Sequence, residues 1–370
     1  MASAPTGATE TGLLEAARGG DEDAFRRLVE PRRGELHAHC YRMLGSVHDA
    51  EDAYQDAMLR AWKGLKSLDD ETALRAWLYR IATNTCLDLI GKRPKRVLPV
   101  DYGPATDPHD GPGEPVVESV WVEPYPDETL AVEDGYASPD ARYEQREAVE
   151  LAFIAALQHL PANQRAVLIL REVLGFSAKE VAETLDTTVA SVNSAMQRAR
   201  KAIEERLPEQ SQQQTLGAVD DAQLRELVDA YVDAWERNDV EAVVGMLAEE
   251  ATFTMPPLAS WFGGREEIEI FLRLSPMSGD WRWKATRVQA NGQPALGFYA
   301  WDPDSGRYEA FALNVLSYDE NGKIKDVTAF IAHTAPDADP ATILRMPEHP
   351  IDERMYQAAF ANFGLPGHLD

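Results

Sequence analysis

The sequence predicts a multidomain chain: an all-α bundle, an all-α helix-turn-helix unit and, last, an α+β cone. Three observations lead there. Apolar residues recur at helical spacing from Asp21 to about Arg96, a helical hairpin ending in arginines fills Leu160 to Leu207, and beyond Trp281 the apolar period changes from about 3.6 to 2. At 370 residues the chain exceeds one typical domain. The expected boundaries are 1–98 for the bundle, 99–140 for a linker, 141–208 for the helix-turn-helix unit, 216–335 for the cone and 336–370 for a tail.

In the bundle, Phe25, Leu28 and Val29 begin a stripe that Leu36, Cys40, Met43 and Leu44 continue until Gly45 stops the helix. From Asp49 to Trp62, Ala50, Ala53, Ala57, Met58, Ala61 and Trp62 share one face, which leaves Asp49, Glu51, Asp52, Gln55 and Asp56 outward. Such an acidic face meets either water or a basic partner. The next helix turns Trp77, Leu78, Ile81, Ala82 and Leu89 inward. Arg80, Asn84 and Asp88 recur every four residues on its other side and lead into Lys92, Arg93, Lys95 and Arg96. An amide among cations suits phosphate anchoring with a few base contacts. His37, His39 and Cys40 lack a fourth ligand at metal spacing and read as ordinary helix residues, so neither metal nor cofactor is expected.

A formal charge of -26 conflicts with DNA binding only until it is located. Residues 1–98 hold 15 basic and 15 acidic residues, and residues 141–208 hold 9 of each. The deficit belongs to Pro99–Asp140, with 11 acids and no Lys or Arg, and to residues 209–370, with 27 acids against 12 bases. The first of these, rich in Pro and Gly, has no sustained period and should be extended or disordered when free. Two cysteines, and no signal peptide, lipidation motif or membrane-length apolar run, fit a cytoplasmic protein without membrane contact.

In the hairpin, Ser177 can cap a first helix whose stripe is Val181, Ala182 and Leu185, and Asp186 to Ala190 supply a polar turn. A second helix from about Ser191 carries Val192, Met196, Ala199 and Ile203 inward. Thr188, Ser191, Asn193, Ser194, Gln197, Arg198, Arg200 and Lys201 remain to meet base edges and phosphates in a major groove. A plain helical hairpin with a solvated basic end fits the same pattern.

After the polar break Pro208 to Thr215, Leu224, Leu227, Val228, Tyr231 and Trp235 form one helix stripe and Val240, Val243, Val244 and Leu247 another, while Gly263-Gly264-Arg265-Glu266 opens a third helix. Trp281 to Trp301, Tyr308 to Tyr318 and Lys323 to Ala332 alternate as antiparallel strands, with Asn291-Gly292 and Asn321-Gly322 as turns. Helices followed by a curved sheet describe a cone with a pocket, for which Tyr231, Trp235, Met255, Trp261, Phe298, Asn314 and His333 are candidate lining.

The helical segments resemble the extracytoplasmic-function (ECF) group of sigma-70 type sigma factors of bacterial RNA polymerase, over roughly Asp21 to Arg96 and Arg142 to Leu207. The resemblance rests on D-A-E-D-x-x-Q-D at Asp49 to Asp56, on A-W-L-Y-R-I-A-x-N at Ala76 to Asn84, and on the helix-turn-helix that follows. It implies that Asp49, Glu51, Asp52, Gln55 and Asp56 dock on the β′ clamp helices of core RNA polymerase. It implies that Arg80, Asn84, Asp88, Lys92, Arg93 and Arg96 serve the -10 element of promoter DNA, and the helix-turn-helix the -35 element. The linker would thread the RNA path of the polymerase, next to its β subunit. Against the family pattern, Asn193 and Ala195 replace Lys and Arg, so phosphate affinity should fall and the bases read should change.

Leu224 to Ala332 resembles the SnoaL-like family, relatives of ketosteroid isomerase and nuclear transport factor two. In a sigma factor this extension implies a built-in regulatory domain rather than an enzyme, with a small ligand in its pocket as a further candidate partner. The alternative is a DNA-binding regulator that acts without polymerase and senses a ligand through the cone. An isomerase or hydrolase using His333 and Asn314 ranks third.

Overall fold

A computed structural model describes residues 10–68, 71–113, 116, 120–129, 146–219, 221–331 and 360–370. The chain folds into two compact units, each drawn from three stretches of sequence. The first comprises Met1–Lys95, Thr129–Ser138 and Ala156–Arg206; the second comprises Arg96–Glu128, Pro139–Ala155 and Leu207–Asp370.

In the first unit, helices Glu10–Arg18, Glu22–Val29, Arg33–Leu44, Val47–Gly64 and Leu74–Ile90 form the bundle. Their ends follow the side-chain chemistry. Asp21 accepts the Ala24 N–H at 3.0 Å, Ser46 accepts the Asp49 N–H at 3.1 Å, and Gly45 closes its helix in the left-handed region at φ 69°. Leu36, Cys40, Met43, Ala53, Ala57, Ala61 and Leu78 are almost fully buried, so the predicted stripes do meet. His39 is sealed in this core and bonded to Thr83 at 2.9 Å; burial, reinforced by Arg42, lowers its pKa to about 3. Burial also lowers His37 to about 4 against the pull of Glu51, so both rings are neutral packing residues at pH 7.

The helix-turn-helix, carried by helices Ala162–Leu168, Ala178–Thr184 and Val189–Glu204, packs on this bundle within the same unit. Arg165 is the joint. Its guanidinium donates to the carbonyls of Met43, Gln158 and Leu160 and to the Gln158 amide oxygen, while Gln158 Nε2 donates to the Arg42 carbonyl at 3.2 Å. Burial brings the Arg165 pKa down to about 10, which still leaves the group charged. Arg165→Met should cost about 2 kcal/mol of stability, because several buried acceptors lose their donor together. Denaturant unfolding followed by circular dichroism measures it.

The second unit is the α+β cone, with helices Gln212–Gly217, Asp221–Glu236, Val240–Met246 and Arg265–Leu274. Seven strands make one sheet: β1 (Leu247–Thr254), β2 (Trp261–Gly263), β3 (Trp283–Ala290), β4 (Gln293–Asp302), β5 (Arg307–Tyr318), β6 (Ile324–Ile331) and β7 (His368–Leu369). The order is β2-β1-β6-β5-β4-β3, antiparallel except for β1 on β6, and β7 pairs with β5. Asn291 and Gly292 form the tight β3–β4 turn at φ 56° and 68°, where Gly is unstrained and Asn is tolerated. Tyr231, Trp235, Phe253, Phe262, Phe271, Leu296 and Leu316 fill the core between helices and sheet. Among the described residues no helix is long and apolar enough to cross a membrane.

One feature departs from expectation. The segment after Arg96 is not a free tether, because its backbone bonds to the cone. The Thr106 N–H donates to the Trp261 carbonyl at 2.8 Å, Val116 N–H to the Pro257 carbonyl at 3.0 Å, and Asn291 N–H to the Tyr125 carbonyl at 2.9 Å. Val120, Trp121, Val122 and Tyr125 are buried, and such apolar residues let an acidic stretch dock. The tail ends on the sheet: Phe360, Phe363 and Leu365 are buried, and Phe360 meets Tyr299 edge-on at 5.3 Å. Of the tail's other apolar residues, Ile343, Met346, Met355 and Tyr356 lie outside the described residues.

Candidate nucleic-acid interface

The helix-turn-helix is held by its caps. Ser177 and Glu180 form a reciprocal capping box, Asp186 makes the turn at φ 48°, and Thr188 Oγ1 accepts the Ser191 N–H at 3.1 Å, so the second helix starts at Val189. Val192, Ala195, Met196, Ala199 and Ile203 face the core. Thr188, Ser191, Asn193, Ser194, Gln197, Arg198, Arg200 and Lys201 are all exposed. Arg198 donates to Ser194 Oγ at 2.6 Å, and Arg200 is paired with Glu172. Of the two departures from the family pattern, Ala195 is buried, so only Asn193 alters the exposed face.

On helix Leu74–Ile90, Arg80, Asn84 and Asp88 are exposed on one ridge, with Lys92 and Arg93 beyond its end. Asp88 is bonded to Arg60 at 2.9 Å, whereas Arg80, Asn84 and Lys92 have side-chain polar ends without a partner among the described residues. Two expectations are corrected here. Arg96 is 6% exposed in the second unit and donates to the Trp121 carbonyl at 2.7 Å, because the chain turns into the cone before reaching it; it is no phosphate anchor. Asp49 is 5% exposed and paired with Arg93, so it closes the bundle instead of facing outward. Asp52, Gln55 and Asp56 are exposed, and Glu51 is half-buried between Arg33, His37 and Gln55. Beside them Leu59, which lies outside the apolar stripe of this helix, is 57% exposed.

In the cone, Trp235, Met255, Phe298 and Asn314 line a small hollow of about 30 Å³ together with Phe253, Trp283 and Phe311. Tyr231 lies behind this wall, its hydroxyl pKa raised by burial. Trp261 is not part of the hollow; its indole donates to the Gly103 carbonyl at 2.9 Å, so the docked linker occupies it. His333 lies outside the described residues.

A clasp that no sequence pattern announces lies at the turn Asn291-Gly292-Gln293. Asn291 Oδ1 accepts the Tyr125 N–H at 2.8 Å and its Nδ2 donates to the Val149 carbonyl at 2.7 Å. The Gly292 N–H donates to Asp127 at 2.8 Å, and Gln293 Oε1 accepts the Leu151 N–H at 3.0 Å. Glu150 accepts the N–H groups of Gln212 and Gln213 at 2.9 and 2.6 Å. Three segments meet there: the end of the linker, the chain entering the helix-turn-helix and the chain leaving it. The Asn-Gly dipeptide announced a turn, but nothing local announces what its side chain binds across 166 residues.

Comparison with known proteins fits this division. Sigma-70 region 2 matches residues 28–96, Sigma-70 region 4 matches residues 144–203, and the SnoaL-like domain matches residues 228–327. The chain is 40% identical over 314 residues to the ECF RNA polymerase sigma factor SigG of Mycobacterium tuberculosis, covering 84% of this chain and 82% of that one. The chain belongs to the ECF RNA polymerase sigma factors. It is also 30% identical to SigW of Bacillus subtilis over 52% of this chain and 94% of that one. The crystal structure of the M. tuberculosis ECF sigma factor SigJ is similar over 84% of this chain and 97% of that one, at 22% identity and a TM-score of 0.49. As a sigma factor, the protein directs RNA polymerase to initiate transcription, with a SnoaL-like domain fused at its C-terminus. The reading as a regulator acting without polymerase is set aside.

Proposed function

We propose that the SnoaL-like unit regulates this sigma factor by holding its linker and both roots of its helix-turn-helix in one place. The observation that carries this is the clasp at Asn291, which ties Tyr125 and Val149 to one buried side chain. A linker that must enter a polymerase channel has to leave the cone surface first, and each buried hydrogen bond it gives up opposes that move. The clasp therefore acts as a brake. Asp52, Gln55 and Asp56 dock on core polymerase, Arg80, Asn84 and Lys92 face the -10 element, and the exposed side of helix Val189–Glu204 faces the -35 element. The site of action is the cytoplasm, where polymerase works.

The unit has no enzymatic role in this reading, which rests on the relatives, SigG and SigW, named as sigma factors.

Full-length Asn291→Ala should raise transcription from a cognate promoter by about fivefold, as expected when a coupling of roughly 1 kcal/mol is removed. Run-off transcription with saturating core polymerase measures this. Equal output from the variant and the parent, with linker hydrogen exchange accelerated in the variant, would overturn the brake.

A further inference from the structure

The first half of helix Val189–Glu204, from Val189 to Gln197, exposes no charged side chain where cations are expected to dominate. Asn193 and Gln197 stand one turn apart, both exposed, and among the described residues neither amide engages another group. Of the nearby guanidinium groups, Arg198 donates to Ser194 and Arg200 is paired with Glu172, so each already has one partner. Lys201 lies a further turn along and Val189, 43% exposed, lies at the helix start. An amide matches the acceptor and donor that adenine presents at N7 and N6, whereas a guanidinium matches the two acceptors of guanine. Four residues of helix advance about 6 Å and base pairs are about 3.4 Å apart, so the two amides span one to two base pairs.

We propose that Asn193 and Gln197 are the base-reading pair of this factor, and that its upstream promoter element offers them adenines one to two base pairs apart. Val189 supplies an apolar contact suited to a thymine methyl group at the edge of the same element. The assignment rests on this helix facing the -35 element.

The test is selection from a promoter library, randomised upstream and downstream, by holoenzyme assembled from core polymerase and the full chain. Two upstream positions should favour adenine by roughly tenfold each, the discrimination of one bidentate contact. Gln197→Glu turns a donor-acceptor group into an acceptor and should convert one position from adenine to cytosine while the other stays adenine. Asn193→Ala should flatten only the other position. The unchanged position in each variant shows that the helix is still folded and docked. Guanine at both positions, or profiles that neither substitution alters, would overturn the proposal and point to Arg198 as the reader. A flat upstream profile beside a selective downstream one overturns it too, while loss of both would also remove the promoter assignments beneath it.

Discussion

Asp52→Lys combined with Asp56→Lys should weaken binding to core RNA polymerase by about 100-fold while leaving the fold intact. The two carboxylates are exposed on helix Val47–Gly64, with side chains 69% and 53% exposed, so they contribute little to stability. Asp56 meets Arg60 at 3.1 Å across one helical turn, an exposed pair worth only a few tenths of a kcal/mol. Against a cationic partner, two reversals replace two attractions with two repulsions, and about 2.7 kcal/mol corresponds to the expected loss. Asp49→Lys is the contrast: that carboxylate is buried against Arg93, so its reversal should unfold the bundle before it says anything about docking. Binding measured at two salt concentrations, with melting temperature as the control, separates the two. Unchanged affinity of the double variant would assign the acidic face to solvent alone.

The contrast between Asp49 and Asp52 marks how far the sequence reaches. A helical period places both residues on the polar side, and the helix does form with Ala50, Ala53, Ala57 and Ala61 buried. Which acids on that side meet another element is a tertiary fact, decided by where Arg93 returns. Arg96 fails for the same reason: four cations in five positions look like one patch, but the chain leaves the bundle between Lys95 and Arg96. The helix-turn-helix was legible from the Ser177 cap of its first helix and from its apolar stripes, which are local, whereas the Thr188 cap, which starts the second helix at Val189 instead of about Ser191, was not legible. The cone's later strands were legible from alternation. β1 and β2 were not, since Leu247–Thr254 follows a helix without a break and Trp261–Gly263 is too short to display a period.

Least legible was the docking of the linker. Its acidic composition argues for disorder, yet Val120, Trp121, Val122 and Tyr125 within it are buried. The glutamine run from Gln212 read as a polar break; in the fold Gln212 exchanges hydrogen bonds with both backbone groups of Tyr318, acting as a strand residue would.

The clasp should also make the second unit sensitive to pH. Burial raises the Glu150 pKa to about 7, opposed by the N–H groups of Gln212 and Gln213 and assisted by Glu147; burial raises Asp127 to about 6, opposed by the Gly292 N–H and by Arg146. Both folded values lie above the ordinary carboxylate range, so the folded unit binds protons that the unfolded chain has released. The resulting stability is fully present below about pH 4 and is lost as pH rises through 6 and 7. For Glu150, a rise of this size corresponds to at most about 3 kcal/mol. Differential scanning calorimetry should therefore record a higher melting temperature for the unit at pH 5.5 than at pH 8. A chain of net charge -26 also gains from general protonation, so the decisive comparison is with Glu150→Gln, whose amide cannot ionise. That variant should lose most of the slope between pH 6 and pH 8. Its transcription should change less over the same range than that of the parent, because the ionised Glu150 is what loosens the roots of the helix-turn-helix. Parallel pH profiles for the two proteins would show that Glu150 does not govern the clasp.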